Sequence, residues 1–334
     1  MKFVSYLENA EAHIGFVVNA KVYPIHTLNK ELPDSMLAFI RAGEPALAAA
    51  RKLEQEAKAG QHEALAMPYE NTCLLAPLPN PVSCRDGYAF RQHVASARRN
   101  RKVDMIPEFD QYPIFYFTNH LAVQGPGEVR CMPDHFQKLD FELEAAVIIG
   151  KAGKNIKAEE ADQYIFGYTI MNDMSARTLQ MEEMLLNLGP AKGKDFSTVI
   201  GPMIVTPDEL EPYRKAPRAG HVGDCFDLKM TCKVNGITVS EGSMGDMDWT
   251  FAEIIERCAY GVQMHPGEVI GSGTVGTGCF LELNGTGLLN DPNFKPQWLQ
   301  ADDVVVMEMD ALGVLTNKIV AENTDFSILA KKKI

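Results

Sequence analysis

The segment LDFELEAAVIIG, residues 139 to 150, sets three carboxylates at alternate positions and then turns apolar. On an extended chain, side chains two apart share a face, so Asp140, Glu142 and Glu144 would point one way and Phe141 and Leu143 the other. Like charges that close disfavour one another's ionisation unless a positive charge lies between them. Two explanations compete: a solvated strand face, common in antiparallel sheets, and a divalent cation. Two further segments carry comparable groups. In MNDMSARTLQMEEMLL, 171 to 186, a helix starting at Asp173 would align Asp173, Arg177 and Gln180 at i, i+4 and i+7. In CRDGYAFRQHVASARRNRK, 84 to 102, Asp86 and His93 are seven apart and would project together from a helix that begins by Asp86. Histidine is the side chain that exchanges a proton near neutral pH.

Other motifs fail on context. GSGTVG at 271 to 276 matches GxGxxG, but the CFLEL after it reads as a strand, where dinucleotide binding requires a helix N-terminus. GPAKGKD at 189 to 195 has neither the spacing nor the terminal Ser or Thr of a phosphate loop, and neither GxSxG nor HExxH occurs.

The elements that must position these groups belong to an ordinary globular chain of 334 residues, 46% hydrophobic and 23% charged. A net charge of -12 repels nucleic acid and anionic membranes. No apolar run approaches the roughly 20 residues of a bilayer span, and MKFVSYLENAEAH lacks the basic-then-apolar order of a signal peptide. A cytoplasmic protein with no nucleic-acid or membrane partner is expected. Seven cysteines, scattered and without a CxxC, indicate reduced buried thiols and no disulfide framework or thiolate zinc site. Residues 2 to 25 alternate as short strands with a hairpin at Asn19-Ala20, and 44 to 59 read as a Pro-started, Gly-ended helix. These form a small N-terminal α/β domain over 1–70, with a larger domain over 71–334. There, strand candidates such as YPIFYFTN, QYIFGYTIMN and VVVMEM cluster, helices are expected at 88–99, 174–186 and 249–260, and Asn235-Gly236 marks a hairpin. The pattern predicts an α+β fold with a mixed, largely antiparallel sheet, not a doubly wound one.

Taken in order, D-x-Y-x-x-x-x-H at 86 to 93, DFELE at 140 to 144, ND-x-SAR-x-x-Q at 172 to 180, GK-x-F at 193 to 196 and PGEVIGSGTVGTGCFLEL at 266 to 283 resemble the motifs of the fumarylacetoacetate hydrolase family, in its fumarylacetoacetase-like branch, over about residues 72 to 320. The resemblance implies the β-sheet roll of that family's C-terminal domain, and a homodimer. It makes Asp86, Glu142, Glu144 and Asp173 ligands of a divalent cation, Mg²⁺ or Ca²⁺ with Mn²⁺ as an alternative, and His93 with Glu282 a dyad that activates water. It makes Arg177, Gln180 and Lys194 recipients of developing negative charge, and Tyr88, Tyr116 and Thr274 substrate contacts; Thr198 matches a position near a second, structural cation. An all-oxygen ligand set suits such hard ions. A 1,3-diketone chelates one through two oxygens, which polarises the carbonyl under attack and stabilises the departing enolate.

The expected activity is therefore hydrolysis of the C-C bond of a 1,3-diketo acid, of the fumarylacetoacetate, fumarylpyruvate or acylpyruvate type, in aromatic catabolism. The alternative is a decarboxylase, hydratase or tautomerase of a 2-oxo acid on the same scaffold, and a third reading is a non-catalytic metal-binding protein. Two positions depart from the branch: Met184 stands where it tends to place a tyrosine, and Lys102 where ungapped counting expects an arginine, with Arg98, Arg99 and Arg101 nearby. Both concern substrate grip.

Overall fold

The apolar run AAVII holds the key to the architecture, because all five residues are buried and alternate ones serve different cores. The computed structural model describes residues 1–333. In chain order its principal elements begin with β1 (Lys2–Glu8), β2 (Glu11–Val18), β3 (Lys21–Pro24), α1 (Met36–Lys58), β4 (Met67–Pro68), β5 (Ser83–Gly87), α2 (Arg91–Asn100), β6 (Phe115–Thr118) and β7 (Gly127–Cys131). There follow β8 (Leu143–Ile149), β9 (Ile165–Asp173), α3 (Arg177–Met184), β10 (Thr198–Val205), β11 (Lys229–Val234), β12 (Ile237–Ser243), α4 (Phe251–Ala259), β13 (Glu268–Gly271), α5 (Phe280–Asn290), β14 (Val304–Met309) and β15 (Gly313–Ala321).

A twelve-stranded sheet runs β4-β3-β2-β1-β10-β9-β8-β13-β5-β6 with two short strands appended, and a five-stranded sheet runs β12-β11-β14-β15-β7. Most neighbours are antiparallel; β13 with β5 and β15 with β7 are parallel. The fold is thus α+β with mixed, largely antiparallel sheets, as expected. Ala145, Val147 and Ile149 on β8 face a core that also holds Met230, Met307 and Leu315 of the smaller sheet and Phe251 and Ile254 of α4. Ala146 and Ile148 face a second core with Phe3, Phe16 and, from α1, Phe39, Ile40 and Leu53. A strand covered on both faces reads as a continuous apolar run, and a slip of one residue would exchange its two cores, so its register is firmly set. Among the described residues no helix is long and apolar enough to cross a membrane.

Residues 1–70 supply β1 to β4 and α1. They extend the large sheet through Lys2 opposite Val205 and Phe3 opposite Ile204. The hairpin at Asn19-Ala20 has φ of 49° and 57°, and that at Asn235-Gly236 has 52° and 80°, the left-handed pairs of a tight turn that matches strand twist. Helix α1 starts earlier than 44, at Met36 with a Ser35 cap, and kinks where Gly43 leaves helical geometry just before Pro45.

Three local expectations need correction. Asp86 and His93 do not share a helix: Asp86 lies on β5, paired with Gly271 and Tyr116, and α2 starts at Arg91. Asp173 does not start a helix either; the β-branched and aromatic run from Ile165 is paired on both sides and carries the strand to Asp173, and α3 begins at Arg177. CFLEL is not a strand but the start of α5. The cap of that helix comes from Asp140, whose carboxylate accepts from Phe280 N at 2.8 Å and Leu281 N at 2.9 Å. A cap supplied from so far along the chain leaves no local sequence signal.

Candidate active site

Neighbouring strands bring the acids together. Glu144 on β8 pairs with Met171, two residues before Asp173 on β9. On the other side of β8, Gly271 of β13 pairs with both Ala146 and Asp86. Glu142 stands just before β8, its N–H donating to Asn172 Oδ1 at 3.0 Å. One carboxylate oxygen from each of Asp86, Glu142, Glu144 and Asp173 lies within 4.8 Å of the others, and all four residues are buried. The turn after β13 closes over them, with Gly273 N donating to Asp86 Oδ1 at 3.0 Å and Glu144 Oε2 at 3.1 Å. Gly273 has φ +79°, and a Cβ there would sit 2.7 Å from Gly87 O, so only glycine fits. The GSGTVG loop does lead into a helix, but the Gly273 amide holds carboxylates, and Asp140 takes the first amides of α5. The dinucleotide reading fails for that reason.

The charges do not balance within the cluster. Burial, and then Asp173, pushes the Asp86 carboxyl up to about 7. Burial and then Asp86 push Glu144 well above the ordinary range, and burial raises Asp173. Glu142 is buried too, yet Lys194 and Arg177 hold it down to about 2. The Lys194 ammonium contacts Glu142 and lies 2.9 Å from Asp173 Oδ2, which also accepts from the Tyr116 hydroxyl. Asp173 Oδ1 is buried with no hydrogen-bond partner. Buried oxygens are rarely left unpaired. That orphan, the raised carboxyls and the all-oxygen set fit a hard divalent cation of the Mg²⁺, Ca²⁺ or Mn²⁺ kind.

His93 on α2 meets Glu282 on α5, with Nδ1 2.7 Å from Glu282 Oε2, which also accepts from Thr277 N at 3.0 Å. A carboxylate only accepts, so Nδ1 donates the hydrogen of this bond and Nε2 is left for other partners. Tyr88 stands edge-on to the imidazole, ring centroids 5.8 Å apart, and burial pushes its phenol up to about 12. A ring nitrogen of His93 lies within 4.8 Å of a Glu142 oxygen, so dyad and acidic cluster adjoin at Glu142.

Arg177 is a strut. Its Nε donates to Asp140 Oδ2 at 2.9 Å, Nη2 to Glu142 Oε1 at 2.8 Å and Nη1 to Gln180 Oε1 at 3.0 Å. Gln180 is backed by Gly193, where a Cβ would fall 2.6 Å from Gln180 Cα, which accounts for the glycine of GK-x-F. Thr274 Oγ1 donates to Glu144 Oε1 at 3.4 Å, and the buried Thr198 lies opposite Asp173, its hydroxyl 3.5 Å from that of Thr118. All twelve residues expected at the site thus lie in or against one buried cluster. Lys102 and Met184 are exposed, and Arg98 and Arg101 donate to nearby backbone carbonyls, as at a solvated helix end. Sequence reasoning assigned no role to Asp140 or Asn172. Asp140 was visible in the alternation, but its partners Arg177 and α5 are met only in space.

Comparisons with known proteins place the chain in a family. The family model described as fumarylacetoacetate (FAA) hydrolase C-terminal matches residues 83–320. The chain is 32% identical over 314 residues to the human mitochondrial oxaloacetate tautomerase FAHD2A, covering 92% of this chain and 84% of that one. It is 29% identical over 335 residues to the oxaloacetate tautomerase YisK of Bacillus subtilis, covering 96% of this chain and all of that one, 100%. Among solved structures, a fumarylacetoacetate hydrolase from Exiguobacterium antarcticum shares the fold with a TM-score of 0.70 at 24% identity, covering 96% of this chain and 100% of that one.

Proposed function

Because the chain belongs to the fumarylacetoacetate hydrolase family, we propose that it is a cation-dependent tautomerase of 2-oxo dicarboxylic acids of the oxaloacetate type. The observation that carries this reading is the likeness, over nine tenths of the chain, to human and Bacillus relatives named oxaloacetate tautomerase.

The residues support the chemistry. Asp86, Glu142, Glu144 and Asp173 would hold the cation, which when bound supplies the positive charge that chelates a 2-oxo acid and acidifies its C3 hydrogens. His93 takes a C3 proton on Nε2 and returns it to the 2-oxo oxygen, giving the enol; the reverse path restores the ketone, and no carbon-carbon bond breaks. Glu282 fixes the ring and stabilises the transient imidazolium. Lys194 has three donors and uses two contacts, on Glu142 and Asp173, which leaves one for the oxygen where charge accumulates. The Gln180 carbonyl is held by Arg177, which leaves its amide nitrogen as a donor for a substrate carboxylate.

Hydrolysis of a 1,3-diketo acid is the second reading, favoured by the His93–Glu282 pair, which has the form of a water-activating dyad. Arg177 is largely committed to protein acceptors through Nε, Nη1 and Nη2, so its part in that reading is chiefly to hold Glu142 and Gln180 in place. The test is to follow enol oxaloacetate by its ultraviolet absorbance with Mg²⁺-loaded protein, then to assay fumarylacetoacetate and acylpyruvates with product analysis. Accelerated interconversion with every carbon retained is expected. Faster release of two fragments from a diketo acid would replace this reading with hydrolysis. The homodimer implied by the family resemblance belongs to the same proposal and is checked by sedimentation.

A further inference from the structure

Cys279 plays no part in this chemistry, yet it stands beside it. A ring nitrogen of His93, the Cys279 sulfur and a Glu142 oxygen all lie within 4.8 Å of one another, and all three residues are buried. The thiol is free and makes no capping bond at the start of α5, whose first amides are served by Asp140. From the metal-ligand bond lengths, the ligands of a tetrahedral zinc lie roughly 3.5 Å apart, so little contraction is needed. Glu282 holds Nδ1, which leaves Nε2 as the nitrogen available to a metal. Metal-binding histidines recur in this carboxylate-backed arrangement. Arg177 and Lys194 each contact one oxygen of Glu142, and a carboxylate has lone pairs beyond those two.

We propose that His93, Cys279 and Glu142 form a second cation site, for a thiophilic divalent ion such as Zn²⁺, whose occupation silences the dyad. Two sites of opposite chemical taste then meet at Glu142. The four carboxylates select hard ions, and the nitrogen-sulfur-oxygen set selects borderline and soft ones. As the sulfur-metal bond forms, the thiol proton leaves to solvent, and the Nε2 lone pair that would accept the substrate proton is spent on the metal. No CxxC announces the site, because its ligands come from α2, from the residue just before β8 and from the turn before α5.

The test uses the full chain with saturating Mg²⁺. Zn²⁺ should inhibit the wild type, excess Mg²⁺ should not relieve it, and Cys279→Ser should raise the inhibitory concentration by about a hundredfold or more, as befits loss of a direct ligand. Serine is a preferred residue at a helix N-cap, so this variant should fold and keep its basal activity. Cys279→Ala serves as a second variant with the same expectation. Cd²⁺ gives a readout that does not depend on which reaction the enzyme performs: the ultraviolet thiolate-to-cadmium band should lose one equivalent in both variants. Equal Zn²⁺ inhibition of wild type and both variants, relief by Mg²⁺, or an unchanged Cd²⁺ band would each overturn the site.

Discussion

The two halves of the site are built on opposite plans. Asp86, Glu144 and Asp173 project from three strands of one sheet, β8 and β9 side by side and β5 one strand further across β13, whose register forces like charges together, and Asp173 keeps an unpartnered oxygen. His93 and Glu282 come from helices and complete each other, with Thr277 N finishing the bond set of Glu282 Oε2. Sheet geometry can hold a charge cluster that is incomplete without a cation, because the backbone bonds supply the restraint. The helical pair needs no such partner. Binding the ion and moving the proton should therefore separate on mutation, with Glu142 as the one residue that touches both.

The strongest test of that separation lies on the helical side. His93→Ala should lower turnover by about 10² to 10⁴, the usual contribution of a positioned acid-base group. Mg²⁺ affinity by calorimetry should stay unchanged. A parallel loss of Mg²⁺ binding would dissolve the distinction between the halves. Next is the strand side, where Glu144→Gln should weaken Mg²⁺ binding by more than about a hundredfold, beyond the loss of a mere outer partner. Activity should fall with it. The metal-free variant should melt higher than metal-free wild type, since a carboxyl held well above its ordinary range has been replaced by a neutral amide. A lower melting temperature would mean that the cluster is content without an ion.

The residues that meet in this cluster were legible in the sequence because they are particular types at particular spacings, in DFELE, the Asp86 and His93 segment and LEL with Glu282, whereas hydrolysis as the first reading of them gave way to the alternative that the relatives favour. The elements beneath were less so. Asp173, Arg177 and Gln180 fit a helical period, yet the β-branched run before them carries the strand one residue further than the period allows. FLELNGTGLLN contains two glycines, poor helix formers, and becomes α5 because Asp140 caps it and packing overrides propensity. Tertiary partners of this sort lie outside any window of sequence.

Asp140 also sharpens the comparison, since it has the same strand-side origin as Glu144 but full satisfaction. Its oxygens accept from Phe141 N, Phe280 N, Leu281 N and Arg177 Nε. Burial raises it, and Arg177 opposes that rise. Asp140→Asn would leave the buried Arg177 guanidinium with one formal charge partner fewer and weaken the cap of α5, so a loss of about 3 to 5 kcal/mol is expected by denaturant unfolding. Its contrast with Glu144→Gln is the point: removing a charge should destabilise here and stabilise there. The same sign at both positions would show that burial alone, and not partnership, sets the cost.

The smallest effect reads the cluster through pH. Asp86 is held up to about 7, and Glu144 and Asp173 are also raised, so between the ordinary carboxylate range and about pH 7 the folded protein binds more protons than the unfolded chain. With the unfolded state binding fewer, the contribution of these groups to stability is full at low pH and falls as pH rises, for Asp86 through about 7. A cation takes the place of those protons, so the gain in melting temperature on adding Mg²⁺ should be slight near pH 5, grow through the window and be largest near pH 8. Measured by thermal melts with and without Mg²⁺, the slope should be much reduced in Glu144→Gln and kept in His93→Ala. A gain that ignores pH in the wild type would mean that the acids ionise freely in the fold, and the contrast with the self-contained dyad would lose its electrostatic basis.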